Sequence, residues 1–378
     1  MQLFSANYLC RIMNKKGKIL VAMSGGIDST VAAVMLHNEG YDVVGITMKT
    51  WDYASSGGSK KETGCCNLDS INDARNIAVE LGFPHYIVDI REEFGDAVIE
   101  DFVNEYLEGR TPNPCVLCNT HIKWNALLRR AKQMNCEFIA TGHYAQLRYE
   151  NNRYVISKGI DESKDQSYVL WGLSQEALAM SRFPLGGFHK KDIRKMCEDW
   201  GYKEMAKKAE SYEICFVPDN DYRGFLKRRV DGLEEKVKGG MFVNSKGEII
   251  GTHEGYPFYT VGQRKGLGIA TGTPMFVTEI NPQTNTVVLG EIEELERTKM
   301  SVRKLNLVKY PTIEDGMKAV TKIRYKDQGT MSTLEMEGDL LHITFDEKVN
   351  AIAPGQSAVF YEGNDLIGGG IIHASFQI

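Results

Sequence analysis

The residues able to do chemistry in this 378-residue chain fall into three short runs. The first is Ser24-Gly25-Gly26-Ile27-Asp28-Ser29, which joins the apolar run 18–23 to a helical pattern from Thr30 to Glu39 that stops at Gly40. A strand, a two-glycine turn and a helix start curl the backbone tightly and aim unpaired N–H groups at an anion, and the helix dipole adds positive potential there. The usual P-loop spacing G-x-x-x-x-G-K-[ST] is absent, and no lysine follows the glycines to reach a terminal phosphate. What remains is the hydroxyls of Ser24, Ser29 and Thr30 and the carboxylate of Asp28, and a carboxylate beside phosphates implies Mg2+ between them, with Asp28 as ligand. Ser-Gly-Gly alone would fit an ordinary helix cap. The strand before it and Asp-Ser after it favour phosphate.

The second run is Gly109-Arg-Thr-Pro-Asn113-Pro114-Cys115-Val-Leu-Cys118-Asn119. Its prolines keep a stretch out of regular structure, and Cys118 is expected to open a helix whose positive end favours thiolate. A single C-x-x-C is as often a zinc half-site as a redox pair, and no second C-x-x-C completes a zinc ribbon. The third run holds a solitary Cys215, in Ser211-Tyr-Glu-Ile-Cys215-Phe-Val-Pro218. A nucleotide site, a thiolate and a remote thiol suggest that ATP activates something and sulfur attacks it.

These runs need a scaffold. From Lys18 to about Trp200 strand and helix patterns alternate: strands over 41–48, 84–89 and 138–141, helices over 70–81, 94–107 and 123–134. That predicts a doubly wound α/β domain with ligands at the carboxyl ends of parallel strands, where Met23-Ser24, Met48 and Thr141-Gly142-His143 fall. Past Ser211 glycines become frequent and apolar runs shorten, and the last 85 or so residues read as a small antiparallel barrel or sandwich, with a hairpin at 358–367. The length exceeds one ordinary core, and 42% hydrophobic with 25% charged residues is globular composition. No run is long enough to span a membrane, and Met1 to Lys18 makes a poor secretory signal because its charges follow its apolar part, so the expected compartment is the cytoplasm. Eight cysteines in such a chain point to metal or thiol chemistry rather than a disulfide framework. A formal net charge of −5 argues against wholesale coating of nucleic acid. The basic clusters at 121–132, 189–195 and 227–229, taken singly, read as solvated helix faces.

Taken together, Ala22-Met-Ser-Gly-Gly-Ile-Asp-Ser29, Gly45-Ile-Thr-Met48-Lys-Thr-Trp51, Gly109 to Asn119, Ala140-Thr-Gly-His-Tyr144, Lys164-Asp-Gln-Ser-Tyr168, Glu210 to Asp219, Thr260 to Gly268 and Pro354-Gly-Gln-Ser357 resemble the bacterial tRNA-specific 2-thiouridylases over nearly the whole chain. The first piece alone would specify only a PP-loop ATP pyrophosphatase. The resemblance implies a PP-loop catalytic domain over 18–210 behind an extension at 1–17, a β-rich middle domain over 211–292 and a C-terminal β-barrel over 293–378. It implies adenylation of the C2 carbonyl of the tRNA wobble uridine by ATP with Mg2+, then replacement of that oxygen by sulfur. By similarity Ala22 to Ser29, Met48 and Gly142 hold the nucleotide. Cys215 resembles the persulfide carrier charged by a sulfur-donor protein, and Cys118 the catalytic cysteine that pairs with it.

Asn113, Pro114 and Cys115 fall where the family meets the target base, although members carry aspartate at the position of Cys115. That cysteine completes a set, Cys115, Cys118 and Cys215, able in principle to hold an iron-sulfur cluster. Lys164, Asp165, Gln166 and His143 resemble contacts to the uridine and its loop, and Arg324, Tyr325 and Gln356 contacts of the barrel to tRNA. Arg264 and Lys265 are expected at RNA phosphates. Cys10, Cys65, Cys66, Cys136 and Cys197 receive no role, and a monomer is expected. Two other readings compete. A PP-loop ligase activating a small-molecule carbonyl for nitrogen would not need Cys118 and Cys215, and a zinc-bound RNA-binding module would make Cys115 and Cys118 structural.

Overall fold

The computed structural model describes residues 16–51, 68–208, 214–217, 219–269 and 272–376. The extension before Lys16, the thiols of Cys10, Cys65 and Cys66, and the stretch 209–213 that precedes Cys215 lie outside the described residues. Two compact units divide the chain: one takes residues 1–95 and 118–219, the other 96–117 and 220–378.

The first unit is built on a five-stranded parallel sheet of β1 (Lys18–Ala22), β2 (Asp42–Lys49), β3 (His85–Asp89), β4 (Phe138–Ala140) and, after the antiparallel hairpin of β5 (Ala145–Glu150) and β6 (Arg153–Lys158), β7 (Ser181–Arg182). Its order is β3-β2-β1-β4-β7, so the chain reverses direction across the sheet between β1 and β4. Open α/β sheets bind ligands at that switch, outside the carboxyl ends of the strands. Ile19, Leu20 and Val21 are fully buried, as a central strand covered on both faces requires. The helices Ile27–Asn38 and Leu68–Leu81 cover one side through Ala33, Val34, Leu36, Ala74, Ile77 and Ala78. The helix Lys190–Asp199 packs on Ile27, Val31 and Ala32 through Ile193 and Cys197. The helix expected over 94–107 is broken into Arg91–Phe94, a π-helical turn at Gly95–Ile99, and Glu100–Leu107.

In the second unit, β8 (Gly240–Val243), β9 (Ile249–His253), β10 (Phe276–Asn281) and β11 (Thr286–Gly290) form a four-stranded sheet in the order β10-β11-β8-β9. The C-terminal strands β12 (Glu296–Leu307), β13 (Met317–Lys322), β14 (Thr330–Glu337), β15 (Leu340–Asn350), β16 (Ser357–Glu362) and β17 (Asp365–Phe376) run β12-β15-β14-β13-β16-β17 and close by pairing β12 with β17. Closure selects barrel over sandwich and leaves no open edge within that ring. Its interior is Met300, Val302, Leu334, Leu341, Ile343, Phe360, Ile367 and Ile372, all fully buried. The expected hairpin is β16–β17, turned at Gly363 and Asn364.

Candidate functional site

At the switch between β1 and β4 lies a cavity of about 230 Å3, lined by Ala22, Met23, Ser24, Asp28, Ser29, Met48, Gly142, His143 and Gln166, and also by Ile46, Thr47, Thr50, Lys123, Leu127 and Thr141. The loop above β1 is locked by its own hydroxyls. Ser24 N–H donates to Ser29 Oγ at 3.0 Å, the two Oγ atoms lie 3.2 Å apart, and Ser29 Oγ donates to the Gly26 carbonyl at 3.1 Å. The helix Ile27–Asn38 then starts without a side-chain cap at Gly26, which leaves its first N–H groups for an anion. Gly142 sits on the Asp28–Ser29 peptide so closely that a Cβ there would come within 2.8 Å of the Asp28 carbonyl carbon. Uncapped N–H donors, two hydroxyls and a side-chain-free approach fit a nucleotide's phosphates.

Two expected residues behave otherwise. The Thr30 side chain is fully buried and Ile27 packs in the core against Val31, Tyr144 and Ile193, so neither side chain lines the cavity. Helical periodicity explains both, because Ile27 and Thr30, the first and fourth residues of the helix, share the face that turns into the core.

The cation that the loop lacks comes from Lys190, expected on a solvated face. Its side chain is 8% exposed, and its Nζ donates to both Asp28 oxygens, at 2.6 and 2.8 Å. Tyr144 OH donates to the same carboxylate at 2.7 Å. A lysine is buried only with such a partner. The sequence held a signal: Lys190, Ile193 and Cys197, spaced i, i+3, i+7, are the buried positions of their helix. Asp28 thus has Lys190 and Tyr144 as partners and still lines the cavity with 34% of its side chain exposed. Lys208, also missed, donates from Nζ to the Gly25 carbonyl at 3.1 Å and pairs with Asp73.

His143 faces the cavity with its Nδ1 2.8 Å from Thr141 Oγ1 and its ring 5.6 Å from that of Trp124. Burial, and secondarily the charge of Lys123, push its pKa down to about 3, so the ring is neutral at pH 7. Gln166 accepts the Tyr144 N–H at 3.0 Å, which holds the strand-end loop beside it. Both residues, expected at RNA, therefore line the same cavity as Ser24, Asp28 and Ser29.

The helix carrying the cysteines begins earlier than expected. Pro114 opens it at Pro114–Leu117, a π-helical turn follows over Cys118–Lys123, and Trp124–Gln133 continues it. Proline costs nothing at a first helical position, and Asn113 Oδ1 accepts the Val116 N–H at 3.4 Å in the manner of an N-cap. The electropositive end thus falls at Cys115, which is exposed, while Cys118 lies one turn inside and is buried. Cys215 is half-buried in the turn closed by Val217 N–H to Ile214 C=O, between residues outside the description. Its neighbour Phe216 sets its ring edge-on to Phe94 at 5.8 Å, and the short helix Arg91–Phe94 also packs on the π-helical turn that Cys118 opens. The neighbour of Cys215 and the turn that begins at Cys118 thus both pack on one short helix of the first unit.

Family profiles match three consecutive stretches: a tRNA methyl transferase HUP domain over 17–219, a tRNA methyl transferase PRC-barrel domain over 223–291 and an aminomethyltransferase beta-barrel domain over 297–372. The tRNA-specific 2-thiouridylase MnmA of Cytophaga hutchinsonii is 68% identical over 97% of this chain and 100% of its own length. Those of Amoebophilus asiaticus and Salinibacter ruber are 65% and 58% identical, each over 96% of this chain and over 97% and 95% of their own. The chain belongs to the tRNA-specific 2-thiouridylase family. A solved 4-thiouridine synthetase–RNA complex with bound ATP aligns at 19% identity over 57% of this chain and 51% of that one, with a TM-score of 0.36, too low to bear on the site.

Against that family background, the remaining expected RNA contacts divide by what their side chains already do. Asp165 is spent on its own turn, accepting Gly159 N–H, Ser167 N–H and Ser167 Oγ at 3.2, 3.0 and 2.9 Å, and Lys164 beside it is half-buried. Arg324 and Tyr325 stand exposed on the turn between β13 and β14. Arg264 and Lys265 are exposed on a glycine-rich loop, and Arg264 lines a second cavity of about 240 Å3 with Gly266 to Ile269 and Thr273 to Met275. Gln356 donates from Nε2 to the Pro112 carbonyl at 3.0 Å. The iron-sulfur expectation for Cys115, Cys118 and Cys215 finds no support: among the described residues no three His, Cys, Asp or Glu side chains gather to hold a metal ion. No helix among the described residues is long and apolar enough to cross a membrane.

Proposed function

We propose that this chain adenylates the C2 carbonyl oxygen of a tRNA wobble uridine with ATP and replaces that oxygen by sulfur carried as a persulfide on Cys215. The observation that carries the reading is the cavity at the β1/β4 switch, with its uncapped helix start and buried Lys190, in the same compact unit as Cys118 and Cys215. A uracil carbonyl is a poor electrophile with a poor leaving group, and an O-adenylate repairs both faults.

The N–H groups at the start of the helix Ile27–Asn38, with Lys123, would take up charge as pyrophosphate departs, while Lys190 holds the Asp28 carboxylate at the cavity wall. Mg2+ supplies further charge neutralisation when it arrives with the nucleotide. The neutral ring of His143 can give or take a hydrogen bond to the base without adding charge. The terminal persulfide sulfur of Cys215 then bonds to C2, and AMP leaves with the oxygen. The Cys118 thiolate attacks the Cys215 sulfur, which frees 2-thiouridine and leaves a Cys118–Cys215 disulfide. A thiol reductant reopens it for the next turnover. Donation of sulfur to Cys215 by a cysteine desulfurase or a relay protein completes the cycle.

The test is incubation of the chain with tRNA, ATP, cysteine and a cysteine desulfurase, followed by nucleoside mass spectrometry. Cys118→Ser and Cys215→Ser should each abolish 2-thiouridine, while ATP-pyrophosphate exchange in the presence of tRNA persists. Full thiolation by both serine variants would refute the assigned roles.

A further inference from the structure

The second compact unit groups residues 96–117 with the C-terminal β-domains, so the run Thr111 to Cys115 packs with the barrel. That run is hard to anchor through its own main chain, because Pro112 and Pro114 have no N–H to donate. The turn Ala353-Pro354-Gly355-Gln356, between β15 and β16, supplies the anchors. Thr111 N–H donates to the Pro354 carbonyl at 2.8 Å, and Gln356 Nε2 donates to the Pro112 carbonyl at 3.0 Å. Gly355 lies between them at φ +92°, and a Cβ on it would stand 2.8 Å from both the Thr111 carbonyl oxygen and Glu105 Oε2. That carboxylate accepts Arg110 Nε and Nη2 at 2.7 and 2.6 Å and has Arg303 of β12 at 3.7 Å.

The same turn is stitched into the barrel. Gly355 N–H donates to the Ile372 carbonyl at 2.9 Å, and Ile372 N–H donates to the Gln356 carbonyl at 2.8 Å. Gln356 thus holds β17 with its main chain and the Pro112 carbonyl with its side chain. No second joint of that span is needed to transmit a shift of the barrel to Asn113–Cys115.

We propose that Gln356 is a positioning residue through which the C-terminal barrel sets the place of the Asn113–Cys115 run. The proposal rests on the reading that this run meets the target base. It predicts an effect on the rate of sulfur insertion rather than on the grip on tRNA.

Two measurements on the full chain test it, and the first needs no thiolation. In hydrogen–deuterium exchange without tRNA, Gln356→Ala should speed exchange at the Thr111 amide at least tenfold. Gln356→Glu, which opposes an oxygen to the Pro112 carbonyl, should speed it further. In single-turnover thiolation at saturating tRNA, Gln356→Ala should slow the rate about tenfold while the Kd for tRNA stays within twofold. Gly355→Ala, which has no side chain able to reach RNA, should show the same split if it folds, as judged by its melting curve. Unchanged Thr111 exchange, or a tenfold weaker Kd with an unchanged saturated rate, would overturn the proposal and return Gln356 to direct RNA contact. Absence of thiolation by the wild-type chain would instead refute the proposed function, leaving the exchange result to judge the joint.

Discussion

The cavity at the β1/β4 switch and the Thr111–Gln356 joint are assembled in opposite ways. Most of the cavity's polar character comes from residues 22–29 and 141–143, two strand ends that a parallel sheet sets side by side. The joint ties residues 244 positions apart, through one side-chain amide and one peptide pair. A site made where two adjacent strands end organises itself wherever its sheet forms, whereas a joint of that separation exists only after the barrel has closed. The first should be robust in chemistry and the second adjustable in position.

Lys190 breaks that division, since it reaches Asp28 across 162 positions. If the loop were self-sufficient, removing the lysine would do little. We expect Lys190→Met, which leaves the Asp28 carboxylate uncompensated at the cavity wall, to lower tRNA-dependent pyrophosphate release by about a hundredfold. Stability should fall by about 1–3 kcal/mol, below the full penalty for breaking a buried pair because Asp28 retains 34% side-chain exposure. Lys190→Arg should recover part of the stability. Release within threefold of wild type in the methionine variant would show that the 24–29 loop acts alone.

Each unit also holds a neutral histidine, the half-buried His143 in the first and the buried His253 in the second. Burial pushes the His253 pKa down to about 4, and Nδ1 accepts the Gly255 N–H at 3.0 Å, as burial and Lys123 push that of His143 to about 3. The unfolded chain binds these protons near pH 6.5 and the folded chain does not, so stability is full above 6.5 and falls as pH drops toward 4 and then 3. At pH 5 each site should cost roughly 1–2 kcal/mol. Calorimetry from pH 7 to 5 should show the loss, and His143→Asn and His253→Asn should each reduce the slope. A slope unchanged by either variant would assign acid sensitivity to other groups.

What the sequence made legible follows the same division. The strand-turn-helix at 18–38, the ends of β2 and β4 and the β16–β17 hairpin are written in local periodicity and turn residues. Tertiary contacts account for the rest. The helix start moved from Cys118 to Pro114 because a proline that breaks a helix interior is comfortable at its first position. Lys190 read as surface because charge outweighed its place on the Ile193–Cys197 stripe. The Gln356 amide and Pro112 carbonyl carry no local mark of each other, and the cysteine positions were legible as residue types but not as burial. Cys115 and Cys118, three residues apart, share a helix face, yet Cys115 is exposed in the first turn and Cys118 is buried one turn further in.

The smallest expected effect concerns Arg324 and Tyr325, exposed on the β13–β14 turn that closes with Asp327 N–H to Arg324 C=O at 3.1 Å and Ile323 N–H to Asp327 Oδ2 at 2.9 Å. These bonds use main chain and Asp327, so removing the Arg324 guanidinium should leave the turn and the melting temperature unchanged. A guanidinium at a phosphate contributes through counterion release, and an exposed ring through stacking on a base. Arg324→Ala should therefore weaken tRNA binding about three- to tenfold at low salt and flatten the dependence of log Kd on log salt by about one unit. Tyr325→Ala should weaken binding without changing that slope. Neither should slow single-turnover thiolation at saturating tRNA, the reverse of the split expected for Gln356→Ala. Were Arg324→Ala to slow the saturated rate with Kd intact, the barrel's outer turn would belong with the positioning joint, and the contrast between gripping and positioning residues in the second unit would dissolve.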